Sequence, residues 1–284
     1  MSGSLSFERA AGYYDATRTT DPATLRQILE LLSTHVAGEG DVLEIGVGTG
    51  QLALPLAAAG VRVVGVDLSA AMMARLVEKA DGRRSVALVQ GDATRLPFAD
   101  GVFGGAYARW VLHLIPEWER VLRELDRVVG AGARVAIEPG GFAGPFREVF
   151  LRFVEILGDA ARPPGLDPVD RDRQLDAGMA RTGWSLDHVQ EITYAHEVPL
   201  GRFFEDVRER RHSWTWGVPS DALEAATTEV RAWAAGRFDL DAPLPDEPTR
   251  WRVYRRERAF GPASGDELTR YPFPNPRTGG VRDA

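Results

Sequence analysis

Between residues 41 and 139, short apolar runs alternate with helical stretches, and this rhythm constrains the fold more than any other feature of the chain. Residues 42–45, 61–66, 86–89, 102–107 and 134–137 read as strands. Helices are expected from about 50 to 59, after Ser69 (an N-cap, with Met72, Met73 and Leu76 on the inward face) and over 117–129. Short strands joined by helices of this length require a doubly wound, mostly parallel sheet with helices on both faces, an α/β fold. Ahead of this region Asp21-Pro22 reads as N-cap and first turn of a helix carrying Leu25, Ile28, Leu29 and Leu32, ended by Gly38. Beyond Glu138 the rhythm breaks. Gly140-Gly141, Arg162-Pro163-Pro164-Gly165 and the Pro/Asp-rich 241–248 are turn or linker chemistry, with helices near 145–157, 171–182, 200–211 and 220–236 and candidate closing strands at 187–198 and 250–260.

At 284 residues and 44% hydrophobic content, the chain can bury one large core, or a core plus a smaller cap. The expected division is an N-terminal lid of helices (1–38), a ligand-binding core (39–139), cap helices with the closing strands of the same sheet (140–260), and a tail rich in Pro, Gly and charge (261–284) with little order.

Charge and cysteine usage narrow the function. A formal net charge of −7 weighs against a protein that tracks nucleic-acid phosphates. With no cysteine there is no disulfide, thiolate zinc site or thiolate-held iron–sulfur cluster, and no cysteine nucleophile. No signal-like N-terminus and no apolar run near the roughly 20 residues that cross a bilayer are visible. The expectation is a cytoplasmic protein, monomer or homodimer, acting on a small molecule, with no nucleic-acid, membrane or metal partner.

The first strand runs into Val42-Leu-Glu-Ile-Gly46-Val-Gly48-Thr-Gly50-Gln51. A glycine-rich strand-to-helix turn lets a ligand approach bare backbone. Dinucleotide sites use similar glycines, but their third glycine would fall at Gln51, and Glu44 stands two residues before Gly46. A carboxylate there repels a pyrophosphate and attracts a cation. Opposite charges about 4 Å apart at an effective dielectric near 20 gain roughly 4 kcal/mol before desolvation. The bland reading of Glu44 is a carboxylate that caps loop amides. The second strand ends at Asp67, placed to accept from both ribose hydroxyls of a nucleoside. The third ends at Asp92, which either accepts from an adenine amine or merely forms a turn. Glu44, Asp67 and Asp92 therefore mark the carboxyl rim of successive strands, where open α/β sheets bind ligands.

The segments LEIGVGTG, VVGVDLS, VQGDATRLPF and LRELDRVVGAGARVAIEP resemble the successive motifs of class I S-adenosylmethionine-dependent methyltransferases, over about residues 41–139 and more weakly to 260. The resemblance implies a seven-stranded sheet of order 3-2-1-4-5-7-6 with the last strand antiparallel. It implies that Gly46, Gly48 and Gly50 approach the methionine part of the donor, that Asp67 takes the ribose, that Leu68 packs on adenine, and that Asp92 and Ala93 flank it. Tyr13-Tyr14-Asp15-x-x-Arg18 is similar to the family's N-terminal lid, which puts Tyr14 and Arg18 at the donor; a helix-packing aromatic pair is the alternative. After the fourth strand the family often has Phe-Asp, whereas Phe103 is followed here by Gly104-Gly105.

Methyl transfer from a sulfonium is an in-line displacement that needs alignment and a dry pocket more than acid–base help. The segment after the fourth strand, with Tyr107, Trp110 and His113, is expected beside the acceptor, His113 acting as base or merely packing. It is not an Asn/Asp-Pro-Pro-Tyr/Phe motif, which disfavours adenine or glutamine amino groups. Glu138 either holds an acceptor amine or a metal, or caps the glycine turn. Arg208–Trp216, RERRHSWTW, puts Arg211 and Trp214 where they could close over a flat or anionic acceptor, or bury the indoles while the arginines snorkel. The function expected is methyl transfer to a small molecule, with S-adenosylmethionine as donor and S-adenosylhomocysteine as product. The alternatives are a donor-sensing or scaffolding module and an NAD-dependent oxidoreductase.

Overall fold

The computed structural model describes residues 3–18, 20–81, 86–194, 198–244 and 247–256. Seven strands form one sheet in the order β3-β2-β1-β4-β5-β7-β6. They are β1 (Asp41–Ile45), β2 (Val63–Asp67), β3 (Val86–Gln90), β4 (Phe103–Arg109), β5 (Val129–Glu138), β6 (Trp184–Tyr194) and β7 (Glu247–Arg256). β1 to β5 are parallel, while β7 runs antiparallel to both β5 and β6. Part of the expected strand at 250–260 and the whole of the expected tail lie outside the described residues.

Helices cover both faces, as apolar strands require. On one face α2 (Pro22–His35), α3 (Ala53–Ala58) and α4 (Ala70–Lys79) bury Ile28, Leu32, Leu56 and Leu76 against Val42, Val63 and Trp251. Asp21 caps α2 by accepting from the Ala23 and Thr24 amides, and Ser69 caps α4 by accepting from Met72. On the other face α5 (Trp118–Val128) and α7 (Arg171–Arg181) bury Val121, Leu125, Leu175 and Met179 against Leu43, Ile45, Ala106 and Ile137. A third cluster is purely helical. In it α6 (Gly144–Leu157), α8 (Leu200–Arg208) and α9 (Ser220–Ala235) gather Phe150, Phe153, Phe204, Trp214 and Val230 over the carboxyl rim. The short α1 (Tyr14–Thr17) closes the rim from the amino end.

The Gly104-Gly105 pair has a structural cause. A Cβ on Gly104 would lie 2.0 Å from the Glu39 carbonyl, and one on Gly105 would lie 2.2 Å from that of Val36. The chain entering β1 crosses β4 so closely that only glycine fits. Among the described residues, no helix is long and apolar enough to cross a membrane.

Candidate active site

The glycine turn leaves β1 with Gly46, Gly48 and Gly50 all at positive φ. Gly46 and Gly48 line a narrow cleft with Ile45, Asp67, Leu68, Met72, Asp92, Ala93, Arg109 and Trp110. A Cβ on Gly46 would come within 2.8 Å of the Val111 side chain. The loop's amides are largely taken up internally: Gly46 and Val47 donate to the Val66 carbonyl, Gly50 to the Val47 carbonyl and Gly48 to Asp67 Oδ2 at 2.8 Å. A pyrophosphate needs free N–H groups at this point, and these four are occupied. Asp67 also accepts from the Ser69 amide at 2.8 Å, which leaves each of its oxygens a further lone pair for a ligand hydroxyl. Burial pushes its carboxyl up, against the Ser69 and Gly48 amides. Asp92 Oδ1 accepts from both the amide and the hydroxyl of Thr94, so it forms the expected turn and lines the cleft as well.

Three expected positions, Glu44, Tyr107 and Gly50, line neither this cleft nor the larger cavity beside it. Glu44 lines no cavity described. Pleating sends it to the face opposite Ile45, where it is 4% exposed and accepts from the Tyr107 hydroxyl at 2.7 Å. Burial raises its carboxyl to about 8, partly offset by the Tyr107 bond, so it is mostly neutral at pH 7 and presents little charge to a ligand. The carboxylate's attraction for a cation is thus replaced by the amide pattern as the reason a pyrophosphate fits poorly. Tyr107, beside Glu44 in register, is fully buried and does not line this cleft. Its ring belongs to the sheet core and its hydroxyl orients Glu44. Gly50 is a packing glycine: a Cβ there would strike Leu76 at 2.6 Å, so it lets α4 approach the loop rather than a ligand.

A second and larger cavity, about 830 Å³, lies between the rim and the helical cap. Its size suits a small molecule. Phe7, Tyr14 and Trp110 line both cavities, so the two meet at these rings. Trp110 holds φ +57, an uncommon backbone for a bulky residue, and the Arg109 guanidinium lies 3.9 Å from its ring centroid. His113, Glu138, Arg211 and Trp214 line the larger cavity, as does Arg18, which was expected at the cleft. Arg18 instead donates to His212 Nδ1 at 3.0 Å, because α1 turns its C-terminal end toward the cap. Burial, reinforced by Arg171, holds His113 down at about 4, so its imidazole is neutral at pH 7. Glu138 Oε1 accepts from the Gly140 amide at 3.1 Å, the capping role, while Oε2 faces Arg109 Nε at 3.9 Å. Burial raises this carboxyl, against the pull of Arg109 and Arg171. Arg211 is engaged by Asp206 and Glu209.

Arg109, His212, Arg171 and a lid latch escape sequence reading. Asp15 accepts from the Thr49 hydroxyl at 2.5 Å and pairs with Lys79 at 2.9 Å; Gln51 donates to Asp15 at 3.3 Å and to the Arg18 carbonyl at 2.9 Å. The glutamine in place of a third glycine thus ties the lid to the loop. The available signal was the Asp15 of the Tyr-Tyr-Asp motif, a carboxylate in an otherwise aromatic segment. Among the described residues no cluster of three or more carboxylates, histidines or cysteines could hold a metal ion.

A family model described as "Methyltransferase domain" matches residues 43–137. Over 109 residues the chain is 44% identical to a phosphatidylethanolamine N-methyltransferase of Cereibacter sphaeroides, which covers 37% of this chain and 53% of that relative. The chain therefore spans about half the length of that relative. It is 31% identical over 163 residues to a demethylmenaquinone methyltransferase of Thermus thermophilus, covering 51% of this chain and 74% of the relative. In fold it is similar to a Haemonchus contortus N-methyltransferase solved with phosphomonomethylethanolamine and S-adenosylhomocysteine, with a TM-score of 0.51 at 18% identity over 88% of this chain and 58% of the other.

Proposed function

The chain belongs to the class I S-adenosylmethionine-dependent methyltransferases, and from that premise we propose that it moves a methyl group from S-adenosylmethionine in the rim cleft to a small molecule in the cap chamber. The observation that carries this reading is the meeting of the two cavities at Phe7, Tyr14 and Trp110, since a donor and an acceptor must face each other for in-line displacement.

The cleft's lining suits the donor. Asp67 would accept from the ribose hydroxyls, Leu68, Met72 and Ala93 would sandwich the adenine, and Asp92 would sit at its amine edge. Gly46 and Gly48 line the cleft where the methionine portion would approach. When bound, the donor supplies a methyl already activated on a sulfonium. The protein's part is orientation and exclusion of water. The lid, latched by Asp15 to Thr49, Gln51 and Lys79, lays Leu5, Phe7 and Tyr14 over the cleft. His113, neutral and partly shielded behind Gly140, can accept a proton, but its depressed basicity makes it a weak base. Most of the rate then comes from alignment.

Residues 1–38 serve as lid, 39–139 as donor core, and 140–260 supply the acceptor cap and closing strands. The protein works in the cytosol as a monomer or homodimer. Incubation with methyl-labelled S-adenosylmethionine and a broad extract of small metabolites tests the proposal: a labelled small product is expected. Binding of S-adenosylhomocysteine without any labelled product across such extracts contradicts transfer and favours a donor sensor.

A further inference from the structure

The wall of the chamber carries charge and hydrogen-bonding capacity that the protein itself does not match. Arg18 donates to the Thr17 carbonyl and to His212 Nδ1, and no carboxylate lies within ion-pair distance of it among the described residues. Asp206, whose charge acts on Arg18, is shared between Arg202 and Arg211 at 3.4 Å each. Because a guanidinium only donates, His212 Nδ1 must accept, and the neutral ring carries its proton on Nε2. That Nε2 is buried and has no partner, although buried donors are nearly always paired. The neighbouring Trp214, stacked on His212 at 15°, has an indole N–H in the same state. Both residues line the chamber beside Phe142, Phe150 and Phe203. Arg171 also lines the chamber; it makes a loose contact with Asp172 at 3.7 Å and is attracted by Glu138. His113 senses both guanidiniums, which add to burial in lowering its basicity.

Resting on the methyltransferase reading, we propose that the acceptor is a flat aromatic molecule bearing an oxyanion, its ring held by the Phe142–Phe150–Phe203–Trp214 wall and its oxyanion held by Arg18 and the His212 Nε2–H. A bound anion neutralises Arg18 and gives the orphaned donor its acceptor, so the site is completed by the ligand. An uncharged amide analogue can still accept a hydrogen bond from either donor but leaves the Arg18 charge unneutralised. An acceptor that arrives as an anion also explains why a histidine of depressed basicity suffices in the chamber.

The test uses the full chain and two probes of equal shape, 2-naphthoate and 2-naphthamide, titrated by calorimetry with and without saturating S-adenosylhomocysteine. The carboxylate should bind at least tenfold more tightly than the amide at pH 7.5, and the preference should shrink in 0.5 M salt. Arg18→Gln should abolish the preference, and His212→Phe should weaken naphthoate severalfold and more than it weakens naphthamide. Equal binding of the two probes, binding of neither, or a preference that survives Arg18→Gln overturns the inference. Retained S-adenosylhomocysteine binding shows that each variant is folded. Failure of the unmodified protein to bind S-adenosylhomocysteine counts against the methyltransferase reading instead, which keeps the two outcomes apart.

Discussion

The rim cleft and the cap chamber meet at Trp110 and are built by opposite means. The cleft is made by the ends of neighbouring parallel strands, and its main polar groups are matched within the protein: Gly48 to Asp67, Asp67 to Ser69, Asp92 to Thr94. The chamber is made by side chains from α1, α6, α7, α8 and the segment between α8 and α9, and it keeps an unmatched guanidinium and unpaired ring donors. A site whose backbone is self-satisfied is preorganised whatever its contents, whereas a site with orphaned groups reports the chemistry of what it takes. The first kind can be shared by a whole family. The second belongs to one acceptor.

Substitutions that act on one region and spare the other sharpen this contrast. The largest effect is expected from Asp67→Ala, which removes a charge-assisted acceptor and frees the Gly48 and Ser69 amides; S-adenosylhomocysteine affinity should fall by about 1–3 kcal/mol in a calorimetric titration. Binding of a chamber ligand should not change. Asp15→Ala comes next. By cutting the latch to Thr49, Gln51 and Lys79 it should weaken the same affinity by roughly 1–2 kcal/mol, mainly through faster dissociation in stopped-flow traces. If loss of the latch leaves the off-rate unchanged, the lid does not close the cleft.

Glu44→Gln probes the carboxyl that lines neither cavity. Donor affinity should change less than twofold. The pH dependence of stability should change instead. In the folded chain the Glu44 carboxyl is raised to about 8 by burial, against an ordinary value of 4.5. The folded state therefore holds a proton that the unfolded state has released, and stability falls as pH rises from about 4.5 to about 8. Melting temperatures across that window should decline less steeply in the glutamine variant. Tyr107→Phe should have the smallest effect, about 1 kcal/mol of stability from one lost buried hydrogen bond, with no change in acceptor binding.

The contrast also explains what could be read from the chain. The mostly parallel sheet, the glycine turn, Asp67 and the caps at Asp21 and Ser69 depend on residues close in sequence or on the regular spacing of βα units, so periodicity and turn chemistry reveal them; the strand order is legible only through the resemblance to the methyltransferase family. The burial of Glu44 and Tyr107 is not legible in the sequence, because strand-end position alone does not say which face a side chain takes. Pleating put both on the core side, one against the other. The cap helices were visible by their periodicity, but how they bring residue 18 to residue 212 is a tertiary fact with no local signature. His212 stood inside a segment that drew attention for its arginines and tryptophans, and its tautomer depends on a partner nearly two hundred residues away. Arg109 was hidden for a similar reason: nothing near it in sequence shows that Thr20 accepts from it and Glu138 lies opposite.

The central claim is that the rim cleft takes a sulfonium nucleoside and refuses a pyrophosphate, because the amides of Gly46, Val47, Gly48 and Gly50 are already paired. Parallel calorimetric titrations of the unmodified protein with S-adenosylhomocysteine and with NAD examine this most directly. The account predicts saturable one-to-one binding of S-adenosylhomocysteine, lost or strongly weakened in Asp67→Ala, and no measurable heat from NAD. Tight binding of NAD, or no binding of S-adenosylhomocysteine by a folded chain, would contradict it.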